Sequence, residues 1–445
     1  MRRLLLLITL FGLLALPGAA AAAPNVIGQV EEFPLGAGTR PEAIVAGPDG
    51  NLWFAGVQYL PGPAFADVVG KVTPSGKVTE FQLDTHSANL GLSDIGVGPD
   101  GNLWFTVGGR PKVGRITTAG VATEFAFPSA GASPASIVAG SDGNLWFTEW
   151  QGGKVGRITP SGEVTEFPLL DGRSSSGIAA GPDGALWITE PLPGIVARIG
   201  TDGSETDLPL PDPGGYPGQI VAGSDGALWV GKQRGGVLGR ITTASEASEL
   251  SVPGGRQTFA LSSGPYGDVW YSNGGGRIGW VIPGVLTGTA ACINSCRAPI
   301  TALTEGPDGK LWFAAGVEPG VLFTTPGTVG TYAPPPLEIG LHEESPIKGS
   351  TLLVPVLCRW AAKGRACNGK LNLTGRVGGS ARPRPLDQRR LHLRLGAQRR
   401  FKLQLPASAQ QSLARRGRLV LRLSTDGGRG PRDVRRVVLK RSGRP

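Results

Sequence analysis

Two glutamates carry the chemistry that is easiest to name in this 445-residue chain. Glu149 and Glu190 each stand three residues beyond a tryptophan in a repeated Leu-Trp-x-Thr-Glu string. Carboxylates at one register in successive repeats could together attract a divalent cation or a basic ligand. Solvated or arginine-paired carboxylates on a rim are the other reading. Lys232, at the same register one repeat further on, offsets their charge. A general base is harder to find. Of three histidines, His342 and His392 belong to a basic C-terminal stretch, and His86 falls in an inserted segment, where a solvated imidazole keeps its ordinary pKa. Four cysteines form two close pairs, Cys292 with Cys296 and Cys358 with Cys367. With no further Cys or His beside them, they read as disulfides of an oxidising compartment instead of metal ligands.

The elements that must position these groups are repeats. Seven units are anchored by Trp53, Trp104, Trp146, Trp187, Trp229, Trp270 and Trp312, most of them within Asp-Gly-x-Leu-Trp. The spacing of 41 to 42 residues, with one interval of 51, is the length of a four-stranded propeller blade. The fold class expected is all-β: a closed ring of seven blades over residues 28–332. In the cleanest unit, residues 136–169, short apolar β-branched runs alternate with Gly-Ser-Asp-Gly and Pro-Ser-Gly turns, which places four strands. Each tryptophan should fill the space between neighbouring sheets. The repeated aspartate has no further Asp at Ca²⁺-loop spacing, so it reads as a turn residue.

Residues 30–35, VEEFPL, copy a fourth strand but precede the first full unit. They should close the ring by pairing with the last blade, at residues 321–325 or, as a rival, at residues 328–332, which removes a free edge. The long first interval puts seven extra residues into a loop after the second strand, within residues 56–67, and three more before the next blade. Strand alternation brings both insertions to one face, and insertions gathered on one face often mark a binding surface. Tyr59, Phe65 and His86 come with them, joined by Trp150, which lies outside the repeated tryptophan position.

Residues 1–23 carry Arg2-Arg3, an apolar run and an alanine tract, the pattern of a cleaved signal peptide. No later run is long enough for a transmembrane segment. Residues 333–336, APPP, form a stiff linker. Residues 337–445 hold 25 Lys and Arg against 6 Asp and Glu, leaving 19 against 28 for the remainder. Their alternating runs predict a small β-sandwich of immunoglobulin-like type, with a helical turn near residues 408–415. Paired arginines suggest a polyanion, but export and the lack of interleaved aromatics exclude nucleic acid. An anionic cell-envelope polymer is the partner that fits, against a merely solvated arginine-rich surface.

The strings DGNLWFTE, GKVGRITP and GEVTEFPL resemble the streptogramin B lyase (virginiamycin B lyase) family of seven-bladed propellers, over residues 28 to about 325. The resemblance implies elimination across the ester of cyclic depsipeptide antibiotics, with a histidine general base, a nearby glutamate and Mg²⁺. In that family the histidines lead into the innermost strand or follow the Trp-Phe-Thr-Glu glutamate by two residues. Here the lead-in positions are Glu42, Ser93, Ala135, Ser176, Gly218, Phe259 and Thr301, and Gln151 and Leu192 stand two beyond the glutamates. The family's base is missing from this pattern. The sequence therefore favours a secreted or envelope-associated propeller that binds a small molecule or peptide on its loop-rich face, through Tyr59, Phe65, His86, Glu149, Trp150, Glu190 and Lys232. The alternatives are a Mg²⁺-dependent carbon-oxygen lyase with the metal on Glu149 and Glu190, and a purely structural envelope protein.

Overall fold

The computed structural model describes residues 29–440 except 63, 87–90, 130, 253–256, 265–267, 274–275, 284–285, 293–297, 317–325, 334–336, 340–346, 349–350, 359–366, 376–383, 394–397, 410, 412–417 and 427–433. The expected signal peptide, most of the linker and the strand expected at residues 321–325 lie outside the described residues. So does Cys296, together with the side chains of Cys292, Cys358 and Cys367 and of His86.

Seven four-stranded antiparallel sheets follow one another along the chain. In the blade that carries Trp146 the strands are Pro134–Ala139, Leu145–Glu149, Lys154–Ile158 and Val164–Pro168, innermost first. Trp146 Nε1 donates to Asp142 Oδ1 at 3.2 Å, and Trp53 to Asp49 and Trp312 to Asp308 do the same at 3.0 and 2.9 Å. The repeated aspartate is thus a turn residue that satisfies a buried indole. Burial pushes the Asp142 carboxyl up, but hydrogen bonds from Asn144 and Trp146 outweigh it and hold the group below its usual range.

Each tryptophan packs on the next blade. Trp53 clusters with Ile95, Leu103 and Phe105, Trp146 with Ile178 and Leu186, and Trp312 returns to Ile44, Leu52 and Phe54 of the first blade. That last contact closes the ring. Phe33, from the N-terminal strand Gln29–Pro34, stacks on Trp312 at 5.7 Å, as Phe167 stacks on Trp146 at 5.2 Å.

The closing strand pairs with Thr328–Ala333, Val30 opposite Tyr332, so residues 328–332 were the right choice and residues 321–325 the wrong one. The reason is steric. The second-strand ring of each of several blades lies over a third-strand glycine, Phe147 opposite Gly156, Phe105 opposite Gly114, Phe313 opposite Gly330. A Cβ at any of these glycines would collide with the ring. Residues 328–333 supply that glycine, and residues 321–325, VLFTT, have none.

The insertion in the first blade is not a loop. Leu52–Tyr59 and Phe65–Val72 are eight residues each where the matching strands of the Trp146 blade have five, and the pairing runs out to Tyr59 opposite Phe65. The fourth strand, Val78–His86, extends with them, His86 opposite Phe65. Alternating apolar and polar residues let the extra length pair, which satisfies backbone groups that a loop would leave to solvent.

C-terminal to the propeller, two further four-stranded antiparallel sheets form, built on Thr351–Cys358 and Cys367–Gly375. Leu371, Leu373, Leu403 and Leu405 are buried, and residues 407–409 and 411 are helical. Among the described residues no helix is long and apolar enough to cross a membrane.

Candidate functional site

Four of the seven lead-in residues of the inner strands, Glu42, Ser93, Phe259 and Thr301, come together at the mouth of a central channel. Register places the start of each inner strand beside the end of the second strand, Thr39 opposite Gln58, Pro134 opposite Glu149 and Pro217 opposite Lys232. Tyr59, Glu149 and Lys232 therefore share a face, as the insertion pattern required.

On that face a cavity of about 640 Å³ opens, walled by Arg40, Glu42, Tyr59, Ser93, Phe259 and Thr301. Its apolar surface comes from Val57, Leu92, Pro299 and Ile300. Gln219 borders both this cavity and a narrower space of about 140 Å³ within the channel, lined by Ile44, Ile137, Ile178, Ile220 and Leu303. The walls are tied across blades. Thr301 Oγ1 donates to the Pro41 carbonyl at 3.0 Å, joining the last blade to the first. Tyr59 meets Phe65 edge-on at 5.3 Å, so the hairpin extension fixes the ring that faces the cavity.

Arg40 Nε lies 3.0 Å from Glu42 Oε1. Burial raises the Glu42 carboxyl above its ordinary pKa, and Arg40 opposes the shift without cancelling it. Deeper in the ring, Asp94 accepts hydrogen bonds from Ser136 Oγ at 2.5 Å and from the backbone N of Ile137 and Ile95 at 3.0 and 2.8 Å. Burial still pushes its carboxyl up against those bonds.

The residues singled out from sequence divide between two places. Tyr59 is on the cavity wall and Phe65 is behind it. His86 contributes backbone at the end of the hairpin sheet. Glu149, Glu190 and Lys232 do not line the cavity; each is fully buried, at 0% exposure, within its own blade, while Trp150 stands 42% exposed on the rim.

Those buried positions form a recurring slot in which the residue three beyond the tryptophan approaches an acid of the fourth strand. The acid always lies opposite the third-strand position that carries glycine or alanine: Glu166 opposite Gly156, Asp207 opposite Ala197, Glu249 opposite Gly239. Lys232 ion-pairs directly with Glu249 and also donates to the Asp212 carbonyl at 2.6 Å. Glu190 has Arg173, whose Nη1 is 3.1 Å from Oε2 and whose Nη2 lies 3.3 and 2.8 Å from Glu205 and Asp207. Lys154 reaches Glu166 at 3.0 Å, and neither carboxylate oxygen of Glu149 has a hydrogen-bond partner.

Burial pushes Glu149 up to about 7, helped by the Glu166 charge and opposed by Lys154. Burial also lifts Glu190 to about 7, Arg173 opposing and Glu205 and Asp207 reinforcing.

A Mg²⁺ held jointly by Glu149 and Glu190 does not fit this arrangement. Each glutamate is buried within its own blade, Glu190 against Arg173 and Glu149 with no hydrogen-bond partner on either oxygen. Among the described residues the one group of three carboxylates close enough for a shared ion is Glu190, Glu205 and Asp207, whose oxygens lie within 4.8 Å of one another. The Arg173 guanidinium already fills it, so a cation there would face a fixed positive charge.

Sequence reasoning noted Glu42, Ser93, Phe259 and Thr301 only as places where a histidine is absent, and missed Arg40, Asp94 and Gln219. The available signal was the lead-in register itself, which marks the residues that face the channel mouth.

The model of the virginiamycin B lyase family matches residues 28–320. Among solved structures, a catalytically inactive histidine-to-alanine variant of virginiamycin B lyase from Staphylococcus aureus, with quinupristin, is 28% identical. It covers 68% of this chain and 99% of its own, with a TM-score of 0.60. A streptogramin B lyase structure is 29% identical over 68% and 98% of the two chains, TM-score 0.59. YCF48 bound to D1 peptide, 13% identical over 69% of this chain and 99% of its own, TM-score 0.53, shares the fold alone. A search of curated proteins finds no match.

Proposed function

Because this chain belongs to the virginiamycin B lyase family, we propose that it is an exported, ligand-binding member that takes a compact peptide-like molecule at the mouth of its channel without eliminating across it. The observation that carries this reading is the cavity of about 640 Å³ walled by lead-in residues. Its size is that of a small-molecule site, and its surface mixes aromatic and aliphatic walls with a few polar groups. Elimination needs a base of near-neutral pKa at the reacting carbon, and the lead-in positions hold no histidine. The apolar leader and the paired cysteines support export and disulfides. The basic C-terminal sheets support a tether to an anionic envelope polymer, by long-range attraction that salt would weaken.

The test is calorimetric titration of the purified protein with quinupristin, followed by mass and chromatographic analysis of the compound. Saturable binding that Tyr59→Ala weakens roughly tenfold, with the compound recovered cyclic, is the expected result. Absence of binding by the intact protein would sink the reading.

One observation favours a second reading, a lyase with a carboxylate base. Glu42 stands at a lead-in position on the cavity wall with a raised pKa, beside the Arg40 guanidinium. In that scheme the Glu42 carboxylate takes a carbon-bound proton, the released electron pair forms a carbon-carbon double bond, and the ester oxygen departs as a carboxylate. A linear product of unchanged mass, lost in Glu42→Gln, would establish it over the first reading.

A further inference from the structure

We infer that Gln219 is the specificity-determining residue of the mouth cavity, and that its side-chain amide donates to a backbone carbonyl of a peptide or depsipeptide ligand. This deepens the ligand-binding reading and rests on it.

Seven residues, one per blade, follow the lead-in positions, Ala43, Asp94, Ser136, Gly177, Gln219, Ala260 and Ala302, and all but Ala260 line the channel. Four have no polar side-chain atom. Asp94 and Ser136 spend theirs on each other, through the 2.5 Å bond from Ser136 Oγ. Gln219 is different. It is exposed at the boundary between cavity and channel.

Its orientation is fixed by chemistry. The backbone N of Leu261, in the next blade, donates to Gln219 Oε1 at 3.2 Å. A peptide N–H can only donate, so the atom that meets it must be the amide oxygen, and the NH₂ group is the other end. Held by its oxygen, the side chain is a positioned double donor with little rotamer freedom left to lose on binding.

Of the other polar groups of the cavity, Thr301 Oγ1 donates to the Pro41 carbonyl, and Arg40 and Glu42 lie against each other and offset each other's charge. The ligand group that matches Gln219 is thus an acceptor without charge, and the surrounding Tyr59, Phe259 and Ile300 suit apolar side chains on either side of it. A compact chain of amide or ester carbonyls with aromatic or aliphatic substituents has that chemistry.

The experiment is titration of the whole protein with quinupristin, comparing wild type with Gln219→Leu, Gln219→Glu and Tyr59→Ala. Gln219→Leu should weaken binding roughly ten- to a hundredfold, the range of one lost hydrogen bond to a buried acceptor. That variant also orphans the Leu261 N–H. Gln219→Glu therefore serves as the second variant, since it keeps an acceptor for Leu261 but replaces the donor by an oxygen that repels a carbonyl. It should weaken binding at least as much with an unchanged melting temperature. Wild-type affinity in Gln219→Glu, alongside a loss in Tyr59→Ala, would overturn the carbonyl assignment and leave the cavity as a ligand site. No binding by the wild type would remove the ligand-binding reading itself.

Discussion

Arg173 places Nη1 3.1 Å from the buried Oε2 of Glu190, whereas the residue at the matching distance before Trp146 is Ala132, which has no charge to offer Glu149. Two glutamates of identical register thus differ in whether a guanidinium accompanies them. Burial nevertheless lifts both carboxyls to about 7, so the guanidinium opposes protonation of Glu190 without preventing it, and nothing of the kind opposes it at Glu149 except Lys154.

Glu149 should therefore make stability fall as pH rises. Its folded pKa, about 7, exceeds the ordinary value near 4.5, so the native state binds more protons than the unfolded state between these limits. The stabilisation is complete below about pH 4.5 and is lost as pH rises through 7. Its size is roughly 3 kcal/mol. Urea midpoints from pH 4.5 to 8 should decline in wild type and decline less in Glu149→Gln. Equal slopes in the two proteins would show that Glu149 is not the titrating group.

Removing the guanidinium should hurt most at alkaline pH. Arg173→Ala leaves Glu190, Glu205 and Asp207 facing one another without a counter-charge, a loss of about 3 to 5 kcal/mol for a broken buried pair. Below pH 6 the Glu190 carboxyl takes a proton and the loss should shrink. Denaturant curves at pH 5.5 and pH 8 measure the difference, and a loss independent of pH would point to lost packing alone.

The pairing of Phe147 with Gly156 predicts a strongly coupled pair. A methyl group at Gly156 would enter the Phe147 ring, so Gly156→Ala should cost about 3 kcal/mol, at the high end for overpacking. In a Phe147→Leu background the same change should cost less, because the smaller side chain vacates the space. A double-mutant cycle reads this directly, and additivity within about 0.5 kcal/mol would contradict the packing argument.

Two aromatic residues on one face should behave differently toward ligand. Tyr59 walls the cavity, and Trp150 stands on the rim outside it. Tyr59→Ala should weaken quinupristin binding roughly tenfold, while Trp150→Ala should leave it within about twofold. The reverse pattern in calorimetry would move the binding surface to the rim above the third and fourth blades.

How far the sequence could be read follows from the range of each interaction. The repeat exposed its own strands because hairpin turns and the Asp142-to-Trp146 bond connect residues four apart, and a local rule repeated in six of seven blades is hard to miss. The choice of closing strand was also present in the sequence, as the glycine at position 330, but only once Phe313 is known to lie over it. The insertion looked like a loop because its length was counted without its alternation, which lets Tyr59 pair with Phe65.

The chain's own letters were enough to establish seven blades, the face that carries the extended hairpin and the structural duty of the repeated aspartate, since each depends on contacts within one blade or on spacing between blades. Only the closed ring decided which side chains converge. It brought Thr301 to Pro41 across 260 positions and set Gln219 between cavity and channel. It also buried Glu149 and Glu190 beneath their own loops, because the surroundings of a carboxylate are fixed by neighbouring strands that no local pattern announces.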